Sequence, residues 1–389
     1  MIQIHLAHKR QFSNLNDLSA EYYKQVLPLI EEKTNATREI YNFVISGRTP
    51  NLTGINKYMI LNILSLLCER KVTRKAKFND ETEKIDFLKK YKSKAQEKYK
   101  QKVIKKEFVN LLSFLNGSKT IVGRTLKQLI VSEPITLEKI DEDLQNEFSK
   151  LLKKKTIIKF LFYILDYSQI HKNIGISRLI FDNLDLKACP YCNRNYISYI
   201  EHAGEKQIGP TLDHFFSKSD HPFLSASFFN LIPSCYVCNS NIKGKKETTL
   251  IDNINPFFDG FGDIATFELI NTPRNYGVKL KVDYGRNASL AERIRSSTNP
   301  EKGNAVLFKT ENIYSNGHHH DIKMILKKCD RVDSYYKCSL SKLTKIHGSV
   351  QEFYRIYFSS ELDEKKFNTY PLSKLKRDLV KERLPWLLI

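Results

Sequence analysis

No apolar run in this sequence of 389 residues is long enough to cross a bilayer. The longest stretches, around Tyr58 to Cys68 and Ile157 to Leu165, are about ten residues and carry Asn or Lys, whereas a spanning helix needs roughly 20 apolar residues. Met1 to Phe12 has scattered His, Lys and Arg and no apolar core segment, so a secretory signal is not expected. Acidic residues are in deficit. The 43 Asp and Glu stand against 63 Lys and Arg, a net charge of +20, which favours a polyanionic partner, nucleic acid foremost, and gives no reason to expect a membrane partner. Cysteine is scarce and odd in number, seven in all, which excludes a disulfide framework and suits a reducing compartment, the cytoplasm. There is no GxxxxGK[ST] loop, so any coupling to ATP must come from another chain. Neither an internal repeat nor a low-complexity linker is visible.

What the sequence does hold is enough to fold. Hydrophobic residues make up 41% and there are 23 Phe and 20 Tyr, far from the composition of a disordered chain. A chain this long can build two or three hydrophobic cores without metal or disulfide staples, so a metal site would serve a local purpose. From Asn14 to about Ile180 apolar residues recur at three and four, as in Ile55, Met59, Ile63, Leu66 and Leu67, with few Gly or Pro; an all-helical part is expected. Within it, Arg70 to Lys106 holds 15 Lys and Arg against 5 acids. That segment is either a solvated lysine-rich face or a surface that tracks phosphates; Phe78, Phe87, Leu88 and Tyr91 suggest that it also packs. From Asp182 to about Asn253 the pattern shifts to short β-like runs, cysteine pairs and polar turns. Beyond it, Thr266 to Ile270 and Val278 to Tyr284 alternate as a half-buried antiparallel pair would, and helical periodicity returns after Asn299. The expected fold is α+β and mainly helical, in three consecutive parts: a basic helical part at 1–180, a central module at 181–254, and an α+β to helical part at 255–389.

The chemistry is concentrated in the central part. Two Cys-x-x-Cys knuckles, Cys189/Cys192 and Cys235/Cys238, are separated by 42 residues and can give four thiolates to one tetrahedral Zn²⁺, a closed structural site. Between them, Leu212-Asp213-His214-Phe215 reads as the end of a short strand. There an imidazole able to take a proton near neutral pH adjoins a carboxylate able to hold a hard cation such as Mg²⁺. Cys238 is expected to lead into a helix that begins with Asn239. Asp213, His214 and Asn239 held in this way could form a one-metal phosphodiesterase site.

These residues, with Asn230-Leu-Ile-Pro-Ser-Cys235 in the middle and Cys235-x-x-Cys238-Asn239 at the end, resemble the HNH, or His-Me finger, endonuclease family. The likeness is to its bacterial members associated with anti-phage systems such as Septu and certain retrons, and it spans roughly residues 187–250. It implies a ββα-metal nuclease module with His214 as general base, Asp213 and Asn239 as ligands of a catalytic Mg²⁺ or Mn²⁺, Asn230 as the residue orienting His214, and Cys189, Cys192, Cys235 and Cys238 on a structural Zn²⁺. It also implies a role in antiviral defence with an ATPase partner subunit. Two positions depart from the family pattern. Lys243 follows Asn239 by four residues where three is usual, which leaves Asn241 as the alternative ligand, and Ser217 stands where Pro is common.

Other residues have plainer readings. His221 and the pair Glu201-His202 fit a surface loop and a hairpin tip. His318-His319-His320 fits a polar helix start better than a metal tract, and Cys68, Cys329 and Cys338 are ordinary thiols. Lys243, Lys245 and Lys246 suit either phosphate contact or solvent. The substrate expected is DNA in preference to RNA, by metal-dependent hydrolysis. The alternatives are an RNA-cleaving HNH enzyme and a zinc-ribbon module that binds nucleic acid without cutting it.

Overall fold

The computed structural model describes residues 1–6, 12–69, 71–72, 78, 80–98, 102–184, 186–198, 200–202, 205–271, 276–336 and 349–388. These are mainly helical, with three two-stranded antiparallel sheets, an α+β arrangement as expected. Among them no helix is long and apolar enough to cross a membrane. They form two compact units, one of residues 16–177 with 218–230, the other of 1–15, 178–217 and 231–389.

The first unit is helical and is built on the long helix Leu15–Ser46. Leu18, Tyr22, Val26 and Ile30 recur at every fourth position, and Ile40 and Val44 continue the stripe; all are buried, the one-faced pattern that drives a helix onto a core. Tyr41, Phe108 and Phe160 interlock at that core, with ring centroids 4.8 and 5.3 Å apart. Local chemistry sets the helix starts. Asn56 accepts from the Met59 amide at the head of Lys57–Leu67, and Thr125 with Gln128 forms a capping box at Leu126–Val131. Residues 218–230 are fastened to this helical framework. His221 Nδ1 lies 2.7 Å from the buried Asp141 carboxylate, Tyr22 donates to the Ala226 carbonyl at 3.0 Å, and the Ser227 hydroxyl donates to that of Leu129. His221 is therefore paired and only partly exposed, not the free surface histidine expected, and the sequence pattern gave no sign of its distant partner.

Of the basic segment Arg70 to Lys106, residues 70, 73–77, 79 and 99–101 lie outside the described residues. The rest forms the helices Glu81–Lys89 and Lys92–Lys98 and the start of Lys102–Leu115. Leu88 and Ala95 are buried and Phe87 packs against Phe78 and Tyr91, while Lys89, Lys90, Lys94 and Lys106 are exposed. The segment thus packs on one side and presents cations on the other.

The second unit carries all three sheets: β1 (Ile200–His202) with β2 (Glu205–Ile208), β3 (Thr211–His214) with β4 (Leu231–Ser234), and β5 (Ala265–Asn271) with β6 (Tyr276–Val282). The alternation read in the sequence for the last pair is present: Phe267, Val278 and Leu280 are buried, while Lys279 and Lys281 are exposed and pair with Glu268. Helices Thr310–Gly317 and Ser373–Arg383 cover that sheet. His318 precedes the helix His319–Tyr336, with its Nδ1 2.9 Å from Asp321, so the histidine run is a helix start. Cys68 and Cys329 are buried thiols, and Cys338 lies outside the described residues.

The units cut across the three consecutive parts read from the sequence. Residues 1–6 join the second unit through Ile2 N–H to the Pro190 carbonyl, 2.8 Å, and Ile4 N–H to that of Pro256, 2.7 Å. Residues 218–230 leave the central segment for the helical unit. Periodicity reports local conformation, whereas unit membership depends on such long-range contacts.

Candidate metal centre and active site

The four knuckle cysteines come together in the second unit. All are buried, and their Sγ atoms lie within 4.8 Å of one another, close to the edge of about 3.8 Å that a ZnS₄ tetrahedron with bonds of about 2.3 Å requires. The backbone turns its amides toward the sulfurs. Cys235 N–H donates to Cys189 Sγ at 3.3 Å, Cys238 N–H to Cys235 Sγ at 3.5 Å, and the Asn195 side-chain amide to Cys235 Sγ at 3.3 Å. Such donors favour the thiolate, the form that binds metal. Hydrogen bonding, first with Cys189, brings Cys192 down to about 7 and Cys235 well below the usual thiol range. Burial pushes Cys189 up, and Cys238 is pushed up first by its hydrogen bond to Cys189. The group suits a metal such as zinc.

The support around the first knuckle went unnoticed in the sequence. Asn193, directly after Cys192, sits at φ +45°, a left-handed conformation that Asn tolerates better than most residues. Its side chain donates to the Phe367 carbonyl at 2.8 Å and accepts from the Lys374 amide at 3.1 Å, while Tyr314 donates to the Cys192 carbonyl. An Asn just past a Cys-x-x-Cys was a legible signal for the turn; its partners, some 180 residues away, were not.

The candidate catalytic residues occupy the adjoining strand pair. β3 and β4 pair with Asp213 opposite Ile232 and His214 opposite Leu231, and the chain then passes through Cys235 into a π-helical turn, Val237–Lys243. Asp213 and His214 are both buried. The Asp213 carboxylate is held from two sides, by the Tyr191 hydroxyl at 2.6 Å and the Lys243 ammonium at 3.2 Å. Burial nonetheless keeps its pKa above the ordinary value, against the opposing pull of Lys243 and Tyr191. Lys243 also donates to the His214 carbonyl at 2.7 Å. Asn239 is half-buried and Asn241 exposed. Asn230, fully buried, belongs to the helical unit, where its amide donates to the Leu224 carbonyl at 2.9 Å.

Lys243 is thus neither a solvent lysine nor an open phosphate contact, unlike the exposed Lys245 and Lys246. It ends the wide turn that carries Asn239. Gly244 N–H bonds back five residues to the Asn239 carbonyl at 2.7 Å, and a π-turn absorbs one residue more than an α-turn. Asn239, and not the exposed Asn241, lies on the enclosed side. The donor set for a hard cation fits in part: each Asp213 oxygen has a second lone-pair direction beyond the bond it already accepts, and the Asn239 side chain has no hydrogen bond among the described residues. The four cysteines are the one cluster of His, Cys, Asp or Glu with metal-binding spacing among those residues.

Replacing Lys243 with methionine would leave a buried carboxylate without its cation. Loss of one partner of a buried pair costs about 3–5 kcal/mol, so Lys243→Met is expected to lower the urea midpoint markedly, with partial recovery in the double variant Lys243→Met/Asp213→Asn. Equal stability of wild type and Lys243→Met would mean that the pair contributes nothing.

No family model, curated protein or solved structure matches the chain.

Proposed function

We propose that this protein is a metal-dependent HNH endonuclease that hydrolyses phosphodiester bonds, with DNA the favoured substrate, in a reducing compartment such as the bacterial cytoplasm and in an anti-phage role with an ATPase partner. The observation that carries the reading is local: Asp213 and His214 end a strand paired with β4, and the cysteine cluster joins that hairpin to the turn bearing Asn239. His214 takes the proton from the attacking water. Asp213 and Asn239 would hold Mg²⁺ or Mn²⁺, which supplies charge to offset that building on the scissile phosphate. Zn²⁺ on the four cysteines, its coordination filled by thiolates, would keep strand and helical turn in register and take no part in the reaction. Tyr191 and Lys243 fix the Asp213 carboxylate, and Lys243 ties the same ammonium to the His214 backbone.

One observation favours a second reading, a zinc module that binds nucleic acid without cutting it: both Asp213 oxygens already accept hydrogen bonds. Incubation of the purified protein with supercoiled plasmid and with total RNA, each with and without Mg²⁺, separates the two. The nuclease reading expects nicked or linear plasmid only with metal, with ends that DNA ligase can reseal. Intact plasmid and RNA under every metal, with zinc-loaded protein and an ATPase partner supplied, would leave the binding module.

Both readings use the exposed lysines of the helical unit. Reversing Lys89, Lys90, Lys94 and Lys106 to Glu is expected to weaken binding to all sequences alike and to flatten the slope of log K against log salt by about 0.9 for each lysine that meets a duplex phosphate. A slope unchanged from wild type would make this a solvated face only.

A further inference from the structure

Two tyrosines on the cysteine knuckles have no work in the scheme above. Tyr196 and Tyr236 are 66% and 64% exposed, and neither side chain has a hydrogen-bond or ring partner among the described residues. Each directly follows a residue of one short contact: the Asn195 amide donates to Cys235 Sγ at 3.3 Å. The two rings therefore issue from neighbouring points of the cysteine cluster. Their backbones are fixed. Tyr196 bridges Ala188, flanked by Cys189 N–H to the Asn195 carbonyl at 2.9 Å and Ile197 N–H to the Lys187 carbonyl at 2.8 Å. Tyr236 lies between two cysteines of the cluster.

A single exposed aromatic is ordinary on a protein surface. Two exposed rings whose preceding residues meet at one sulfur contact, on backbone already fixed by hydrogen bonds, are different, because little order remains to be gained when something stacks on them. The surroundings select the partner. Lys187, next to Ala188, the bridge partner of Tyr196, is exposed, and Lys245 and Lys246 are exposed just past the turn that Tyr236 leads into. Aromatic faces bordered by cations suit unpaired bases with their phosphates, whereas in a duplex the base faces are already stacked on one another.

We infer that Tyr196 and Tyr236 form a stacking platform for unpaired bases of a DNA strand, so that the proposed nuclease engages single-stranded segments in preference to intact duplex. This rests on the nuclease reading for its choice of DNA and extends it to a substrate class.

Binding is measured apart from cleavage, by fluorescence anisotropy of the zinc-loaded full chain without Mg²⁺. The probes are an oligo-dT strand of about 16 nucleotides, the upper range of single-strand site sizes, an oligo-rU strand and a blunt duplex of equal length. Stacking on one aromatic ring is worth about 1–3 kcal/mol per base, so Tyr196→Ala and Tyr236→Ala should each weaken dT binding by roughly 5- to 150-fold. Tyr196→Phe and Tyr236→Phe should stay near wild type, duplex affinity should be unchanged, and zinc content should confirm that the knuckles remain folded. Alanine variants that bind dT like wild type, equal losses on dT and duplex, or phenylalanine variants as weak as the alanine ones would overturn the platform. Tighter binding of rU than of dT would overturn the assignment to DNA. Failure of the nuclease reading looks different: tyrosine-dependent dT binding with no plasmid cleavage in Mg²⁺ keeps the platform and removes the enzyme.

Discussion

His214→Ala is expected to remove phosphodiester cleavage, by about 10²–10⁴-fold for the loss of a general base, while zinc content, folding and nucleic-acid affinity stay close to wild type. The separation follows from the role. A base acts on the water as the bond to phosphorus forms and contributes little to ground-state binding, so the rate falls and the affinity does not. The imidazole sits at the end of β3, whose position is held by the strand pairing with β4 and by Lys243 on the His214 carbonyl; those backbone contacts survive the substitution. Asn239→Ala should behave differently. It would weaken the hold on the cation, so part of the lost rate should return at high Mg²⁺ or with Mn²⁺, whereas His214→Ala should not respond to either. Asp213→Ala should show the same rescue but is the less clean test, because it also strips Lys243 and Tyr191 of a buried partner. Asn241→Ala, on an exposed residue, should be mild. Undiminished cleavage by His214→Ala would end the assignment.

Legibility in the sequence tracked the range of the interactions. The helical repeat of 14–180 and the alternation at β5 and β6 depend on which side of a short element faces the core, and both were readable. The cysteine cluster was readable from spacing alone, since two knuckles of a metal site carry their own turn geometry. What remained hidden depends on distant partners. Asp141 beneath His221 lies 80 residues away, Phe367 against Asn193 174 residues away, and Tyr191 on Asp213 is separated from it by a hairpin. Lys243 was misjudged as well. Lys243 lies in the π-helical turn Val237–Lys243, and its partner Asp213 is 30 residues away.

The cysteine cluster should govern folding of its unit as well as its metal content. Elemental analysis is expected to give about one zinc per chain, and Cys238→Ser, at a fully buried position, should lose both the zinc and the cooperative unfolding transition of the unit that carries the sheets. The apparent binding energy of a structural Cys-rich zinc site is about 10–16 kcal/mol near neutral pH, comparable to the whole stability of an ordinary domain, about 5–15 kcal/mol. Removing one thiolate forfeits much of it and leaves three crowded thiols whose amide donors were aimed at sulfur. The damage should spread along defined contacts: Tyr314 and Asn193 fasten the first knuckle to the Thr310–Gly317 and Ser373–Arg383 helices, and Ile2 is bonded to Pro190 within it. The helical unit of residues 16–177 makes none of these contacts and should keep its far-ultraviolet circular dichroism. Cys68→Ser and Cys329→Ser, at buried thiols outside the cluster, should retain full zinc, which distinguishes loss of a ligand from loss of any buried cysteine. A folded preparation free of zinc, or a Cys238→Ser variant that keeps it, would show that the four sulfurs are not a metal site.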